Sequence, residues 1–263
     1  MREIDDDKLG LLLKQTGGMV AASFNCAITV LGDRLGLYRA LGEVGPSTSS
    51  ELASHLQLHE RWVREWLHQQ TCIGQLEYDG DHGKFAISPE AYAVLADEDH
   101  PAYLMGGFDS ALAVFPAVSK LEESFRTGIG MSYDEHGPNC ACGIERMGAF
   151  TKKHRLVGEM IPQLPGMHDR LVAGAMVADV GCGGGLATIA LAQAYQATTF
   201  VGYDTSDVAL QRAKANLAEA GLENVRFCNP FAEPLPKDPT FDLITTFDVI
   251  HDTPYPQHLI AQI

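Results

Sequence analysis

The stretch VADVGCGGGLATIALA, Val177 to Ala192, sets four glycines in five positions behind an aspartate and then runs into small apolar residues. A short apolar strand that turns at once into a helix needs residues that accept positive φ at the turn, and glycine does so without steric cost. The segment therefore predicts a strand ending at Gly181 and a helix opening after Gly185. That junction repeats as the building unit of parallel α/β sheets, so it constrains the chain more than any other feature. The residues that follow keep the rhythm. TTFVGYD reads as a second strand. SDVALQRAKANLAEAGL reads as a helix that starts at a Ser206 cap, puts Leu210, Ala213, Leu217 and Ala220 on one face, and stops at Gly221. NVRFCN and FDLITTFDVI read as further strands, and PQHLIAQI as the start of another helix. The expectation is a parallel sheet of about four strands with ligands at the strands' carboxyl ends.

The front of the chain has a different pattern. STSSELASHL carries Thr48 three residues ahead of Glu51, a capping-box start. HERWVREWLHQQ follows, with Trp62, Val63, Trp66 and Leu67 at helical spacing. GQLEYDGDHGKFAIS then sets Leu76 and Tyr78 against Phe85 and Ile87 around a Gly-Asp turn, which predicts a hairpin. Helix, turn, helix, hairpin is the winged-helix order. Reading DNA would need a basic second helix, whereas here Arg61 and Arg64 are matched by Glu60 and Glu65 and the two tryptophans claim the apolar face. The expectation for residues 1–97 is therefore a dimerisation module. Residues 98–165 read as a mostly helical linker that lines the pocket, broken by the loop RTGIGMSYDEHGPN. Pro162, Pro165 and Gly166 then mark the entry to a third region, 166–263.

Charge narrows the function classes. Lys plus Arg number 19 against 34 Asp plus Glu, a net charge of −15. Such an excess repels phosphate backbones and anionic membrane surfaces, so neither nucleic acid nor membrane is an expected partner. The opening MREIDDDKLG is acidic where a secretory leader would be basic and then apolar. The apolar run from Val20 to Leu31 is too short for a span. Six cysteines without a dense framework suit reduced thiols and a cytoplasmic location. Cys140 and Cys142 form a C-x-C without a matching second pair, so no metal site is expected.

Gly181, Gly183 and Gly185 give G-x-G-x-G, and Leu186 stands where the dinucleotide pattern G-x-G-x-x-G needs its last glycine. Asp179 would sit badly beside a pyrophosphate and well beside a cation. S-adenosylmethionine carries a sulfonium and an α-ammonium and no phosphate, so it suits a bare loop behind a carboxylate. Asp204 ends the second strand, where a carboxylate can accept hydrogen bonds from both ribose hydroxyls; a nicotinamide enzyme places an acid there too, so Asp204 does not discriminate.

From Met176 onward the chain resembles the cofactor half of the class I S-adenosylmethionine-dependent methyltransferases. VADVGCGGG is similar to their first motif, and GYDTS to the acidic end of their second strand. With the winged-helix front, FRTGIGMSYDEHG and LPGMHDRLVAGAMVADVGCGGG, the resemblance extends over nearly the whole chain to a bacterial group of small-molecule methyltransferases. It implies a Rossmann-like α/β domain behind the helical one, with S-adenosylmethionine as cofactor. The cofactor contacts it implies are Asp179, Gly181, Cys182, Gly183, Gly185, Asp204 and Thr205, with Phe231 and Phe247 beside them. Many relatives carry an aspartate at the position of Phe231. Here either the Phe231 ring packs on adenine, or Glu233 or a backbone carbonyl takes over. In FDVIHDTPYP an aromatic-x-x-x-His-Asp segment implies His251, with Asp252, as the general base for a phenolic or enolic acceptor. A strand cap or cofactor contact is the other role open to His251. The class usually has seven strands, so the chain reads as a C-terminally truncated version that lacks much of the acceptor wall. The residues and the resemblance together imply methylation, chiefly O-methylation, of a small molecule by a homodimer. A winged-helix regulator that senses a cofactor and an NAD-dependent oxidoreductase are the alternatives.

Overall fold

A computed structural model of the chain describes residues 4–263; the first three residues of the acidic opening lie outside the described ones. The chain divides into two compact units, one running to Val118 and one from Ser119 to Ile263.

The first unit is helical with one small hairpin. Its helices are α1 (Asp6–Arg34), α2 (Leu37–Val44), α3 (Ser49–Leu56), α4 (Glu60–Cys72), α5 (Pro89–Leu95) and the front of α6 (Met105–Thr127). Strands β1 (Glu77–Asp79) and β2 (Lys84–Ala86) pair antiparallel with Tyr78 opposite Phe85, the register the alternating pattern implies. Thr48 and Glu51 form the reciprocal cap of α3. The core gathers Leu37, Tyr38, Leu41, Leu52, Leu67 and Met105. Trp66 belongs to it and donates its indole N–H to the Ile28 carbonyl at 3.1 Å. Trp62 does not, and is 74% exposed. The buried stripe of α4 runs through Val63, Trp66, Leu67 and Gln70, and at roughly 100° per residue Trp62 falls about 90° from the centre of that stripe. Most of α1 ahead of Cys26 leaves its apolar side chains exposed, including Leu12, Leu13, Met19, Val20 and Phe24. Among the described residues no helix is long and apolar enough to cross a membrane.

The second unit is built on a four-stranded parallel sheet in the order β5–β4–β3–β6, with β3 (Met176–Val180), β4 (Thr199–Tyr203), β5 (Val225–Cys228) and β6 (Leu243–Thr245). The helices α7 (Pro138–Phe150), α8 (Met167–Ala173), α9 (Leu186–Ala194), α10 (Asp207–Ala220) and α11 (Pro256–Gln262) complete it. Ser206 caps α10 by accepting the Ala209 N–H, and Gly221 ends it at φ 65°. Successive strand residues face opposite sides. Val177 and Phe200 join the larger core with Leu171, Leu191 and Leu210, while Ala178, Val201 and Tyr203 face the smaller one.

Three details depart from the sequence reading. FDLITTFDVI yields a strand of only three residues, because β6 pairs with β3 alone and β3 ends at Val180, one residue past the partner of Thr245. The loop RTGIGMSYDEHGPN contains a turn of 3₁₀ helix at Tyr133–His136. Beyond α7 the helix continues in π geometry over Thr151–Met160, and this stretch packs against α9.

Candidate functional site

The sheet order places the site. Leaving β3, the chain builds β4 and β5 on one side and then returns to β6 on the other. Such a reversal opens a crevice at the carboxyl ends of the two strands that flank it. Into it run the glycine loop after β3, the acidic end of β4 and the turn after β6.

The glycines do different work. Gly181, Gly183 and Gly185 all have positive φ, at 75°, 54° and 77°. A Cβ on Gly181 would collide with Val249 from the turn after β6, and one on Gly185 would lie 2.5 Å from Phe227 Cζ. Those two are therefore required by the protein's own packing. A Cβ on Gly183 meets nothing within 4 Å, so its open side is where another molecule can approach. The bareness of the loop has two causes, and sequence inspection sees only their sum.

Asp204 is bonded to the backbone of the same glycine. Its Oδ2 accepts the Gly183 N–H at 2.8 Å and its Oδ1 accepts the Ser206 N–H at 2.9 Å. Each oxygen keeps a second lone pair, so the carboxylate can still accept from two hydroxyls. Burial raises its pKa, against backbone hydrogen bonds that lower it. Thr205 beside it is exposed. Asp179 lies deeper, 2% exposed, with Oδ2 accepting from Thr188 Oγ1 at 2.7 Å and Oδ1 from Thr245 Oγ1 at 2.9 Å. It ties the first turn of α9 and the end of β6 to β3, and a direct ion pair with a ligand would compete with those hydroxyls. Burial pushes its carboxyl pKa up. Cys182 is buried, and burial likewise raises its thiol.

Across the crevice, Phe247 is half-buried against the larger core and Val249 covers Gly181. Asp248 between them takes a left-handed φ of 56°. His251 and Asp252 follow in a turn six residues past the strand, both exposed, with His251 Nε2 3.3 Å from Asp252 Oδ1. Phe231 is 83% exposed in the turn after β5, and Glu233 is engaged by Arg226 and Cys228.

Residues upstream of the sheet also meet these elements; the sequence reading gave residues 98–165 as pocket-lining and singled out none of them. Ser206 Oγ donates to Asp134 Oδ1. The Tyr133 hydroxyl is pushed up to about 12 by burial, with negative charge from Asp204 and Asp252 adding to it. Glu145 on α7 pairs with Arg212 at 2.6 Å and occupies the place a Gly184 side chain would take, while Asn216 Nδ2 donates to the Gly184 carbonyl at 2.8 Å. The signal for Tyr133 and Asp134 was a polar turn inside a helical region; for Glu145 there was none, since its partner lies 67 residues away.

A switch-point crevice, a glycine loop with one open face and a carboxylate at the end of the next strand suit a ligand with vicinal hydroxyls. The gathering of Asp134, Asp179, Asp204 and Asp252 around it suits one that is also cationic. These are the features of a class I methyltransferase fold. Residues 171–263 match the family model described as a methyltransferase domain, and residues 23–97 match the Rv2258c-like winged HTH domain. The chain thus carries a methyltransferase domain behind a winged helix–turn–helix domain. It is 39% identical over 95 residues to an uncharacterized methyltransferase of Synechocystis sp., a match covering 36% of this chain and 42% of that one. The chain therefore spans about two-fifths of that curated relative's length. Mitomycin 7-O-methyltransferase MmcR has a similar structure, with a TM-score of 0.66 at 19% identity, over 95% of this chain and 74% of that one. Human N-acetylserotonin methyltransferase, solved in complex with SAM, gives 0.60 at 15% identity over 96% and 74%. At such identities the likeness is one of fold.

Proposed function

We propose that the protein is an S-adenosylmethionine-dependent methyltransferase acting on a small molecule, chiefly at oxygen. The observation that carries the reading is the pairing of Asp204 with the open face of Gly183, a hydroxyl-accepting carboxylate beside bare backbone. When bound, the cofactor supplies an electrophilic methyl group on sulfonium. Asp204 accepts hydrogen bonds from the ribose hydroxyls, with Thr205 beside it. The backbone at Gly181, Cys182, Gly183 and Gly185 lets the ligand lie close. Asp179 holds the loop to the sheet and contributes negative charge from beneath. Phe247 and the exposed Phe231 offer apolar faces to the nucleoside, and with Glu233 committed to Arg226 the ring at 231 is the reading we adopt for the adenine side.

His251 serves as the general base. With Nε2 turned toward Asp252, Nδ1 is the nitrogen left to take the acceptor's proton, and the Asp252 carboxylate stabilises the imidazolium that results. The acidic surroundings favour that charge. Alignment of acceptor and methyl in one site supplies much of the remaining acceleration.

Residues 1–97 join two copies, and the exposed apolar side chains of α1 support this, since Leu12, Leu13, Met19, Val20 and Phe24 are more than a lone monomer needs to expose. Residues 98–165 line the pocket and 166–263 bind the cofactor. The ion pairs Arg61–Glu65 and Arg64–Glu60 on α4 speak against DNA as a partner. Six cysteines without a disulfide among the described residues fit a cytoplasmic setting.

The test is single-turnover transfer of labelled methyl to a panel of phenols and enols by wild type and His251→Ala across pH. A loss of about a hundred- to ten-thousandfold in rate is expected, with cofactor affinity unchanged. Equal rates at every pH would reduce His251 to a structural residue.

A further inference from the structure

α7 and the π-helical stretch that follows present one face to the glycine loop. Glu145 on that face reaches Gly184. Gly148 and Lys152 lie three and seven residues further on, so they stack above Glu145 on the same side. Long helical side chains point back toward the N-terminus, and Lys152 does so: its Nζ lies 3.2 Å from where a Gly148 Cβ would be. The bare backbone at Gly148 is thus the bed on which the ammonium rests. The π-helical stretch packs on α9, the helix that begins at the loop. The Asp179 carboxyl, raised chiefly by burial and lowered by its two threonine hydroxyls, also feels Lys152 as a positive charge.

Lys152 is half-buried. Among the described residues it makes no hydrogen bond or ion pair, for Glu145 is taken by Arg212 and Asp179 by Thr188 and Thr245. Its three N–H donors are thus left for an anion to take. The carboxyl groups around the crevice, Asp134, Asp179, Asp204 and Asp252, suit the cationic parts of the ligand, and Arg212 is taken by Glu145. They leave its one anionic group, the α-carboxylate of the methionine moiety, without a partner.

We propose that Lys152 is a cofactor-binding residue that takes this carboxylate, and so sets which way round the amino-acid end lies in the crevice. The inference rests on the cofactor reading above.

The experiment is calorimetric titration of the full chain and of Lys152→Met and Lys152→Arg with two ligands. These are S-adenosylhomocysteine and its decarboxylated analogue, which keeps the ammonium and the nucleoside. Lys152→Met should bind S-adenosylhomocysteine about ten- to a hundredfold more weakly, the range for a lost charge-assisted hydrogen bond. Its affinity for the decarboxylated analogue should match wild type, and Lys152→Arg should retain most of the affinity for S-adenosylhomocysteine. Equal weakening toward both ligands, or no weakening toward either, would overturn the assignment. Failure of wild type to bind either ligand would overturn the cofactor reading itself.

Discussion

Gly183 and Gly185 stand two residues apart in one loop, yet substituting each by alanine should have different consequences. At Gly185 the left-handed φ of 77° costs an L-residue about 1–2 kcal/mol. Its new methyl would also sit 2.5 Å from Phe227 Cζ and 3.2 Å from Ala213 Cβ, an overlap in a packed core that costs about 1–3 kcal/mol. Gly185→Ala should therefore lose roughly 2–5 kcal/mol of stability. At Gly183 the φ of 54° carries the same backbone cost and the methyl meets nothing, so the stability loss should stay near 1–2 kcal/mol. The same methyl would occupy the face on which the cofactor lies, so S-adenosylhomocysteine should bind Gly183→Ala at least about tenfold more weakly, or roughly 1.4 kcal/mol. The assay is urea unfolding followed by far-ultraviolet circular dichroism, paired with calorimetric titration. Tryptophan fluorescence is unsuitable, because both tryptophans, Trp62 and Trp66, lie in the first unit. Wild-type affinity in Gly183→Ala would refute the assignment of the open face to the ligand. Equal stability loss in the two variants would refute the packing argument.

Other expectations follow from the carboxylates and from α1. Asp204→Ala should weaken S-adenosylhomocysteine by about ten- to a hundredfold, from loss of roughly 1.5–3 kcal/mol of charge-assisted hydrogen bonding; unchanged affinity would remove Asp204 from the site. Burial raises the Asp179 pKa, so the folded state holds this proton more tightly than the unfolded one. The stability it contributes is present below the ordinary carboxylate pKa and is lost as pH rises through the folded value, and Asp179→Asn removes that loss. Thermal melts from about pH 4 to pH 7 should therefore shift progressively in favour of the asparagine variant, and a shift toward wild type would contradict the burial argument. Sedimentation should give a dimer that Val20→Glu combined with Phe24→Glu dissociates. A monomeric wild type, or salt-sensitive binding to duplex DNA, would count against the role given to the first unit.

What the sequence disclosed was governed by local rules. The Ser206 cap, the Gly221 stop, the Thr48–Glu51 box and the Tyr78–Phe85 register each depend on residues close in the chain. The strand–helix alternation rests on period alone, and the parallel sheet follows from it. What it concealed depends on distant partners. Trp62 and Trp66 are equally apolar, and only the packing of α1 on α4 decides which is buried. β6 is short because β3, its only partner, lies 66 residues upstream in register and ends at Val180. The three alternating glycines look alike in sequence, and only Val249 and Phe227 separate those that the fold needs from the one that faces outward. Tyr133, Asp134, Glu145 and Lys152 come to the crevice through helices whose local pattern says nothing of what they face.

The most direct test of the central claim is a side-by-side calorimetric titration of the full chain with S-adenosylhomocysteine and with NAD. The account predicts saturable binding of S-adenosylhomocysteine, one per chain, and none of NAD, because Asp179 disfavours a pyrophosphate and Leu186 removes the third glycine such a ligand needs. Tighter binding of NAD than of S-adenosylhomocysteine would contradict it.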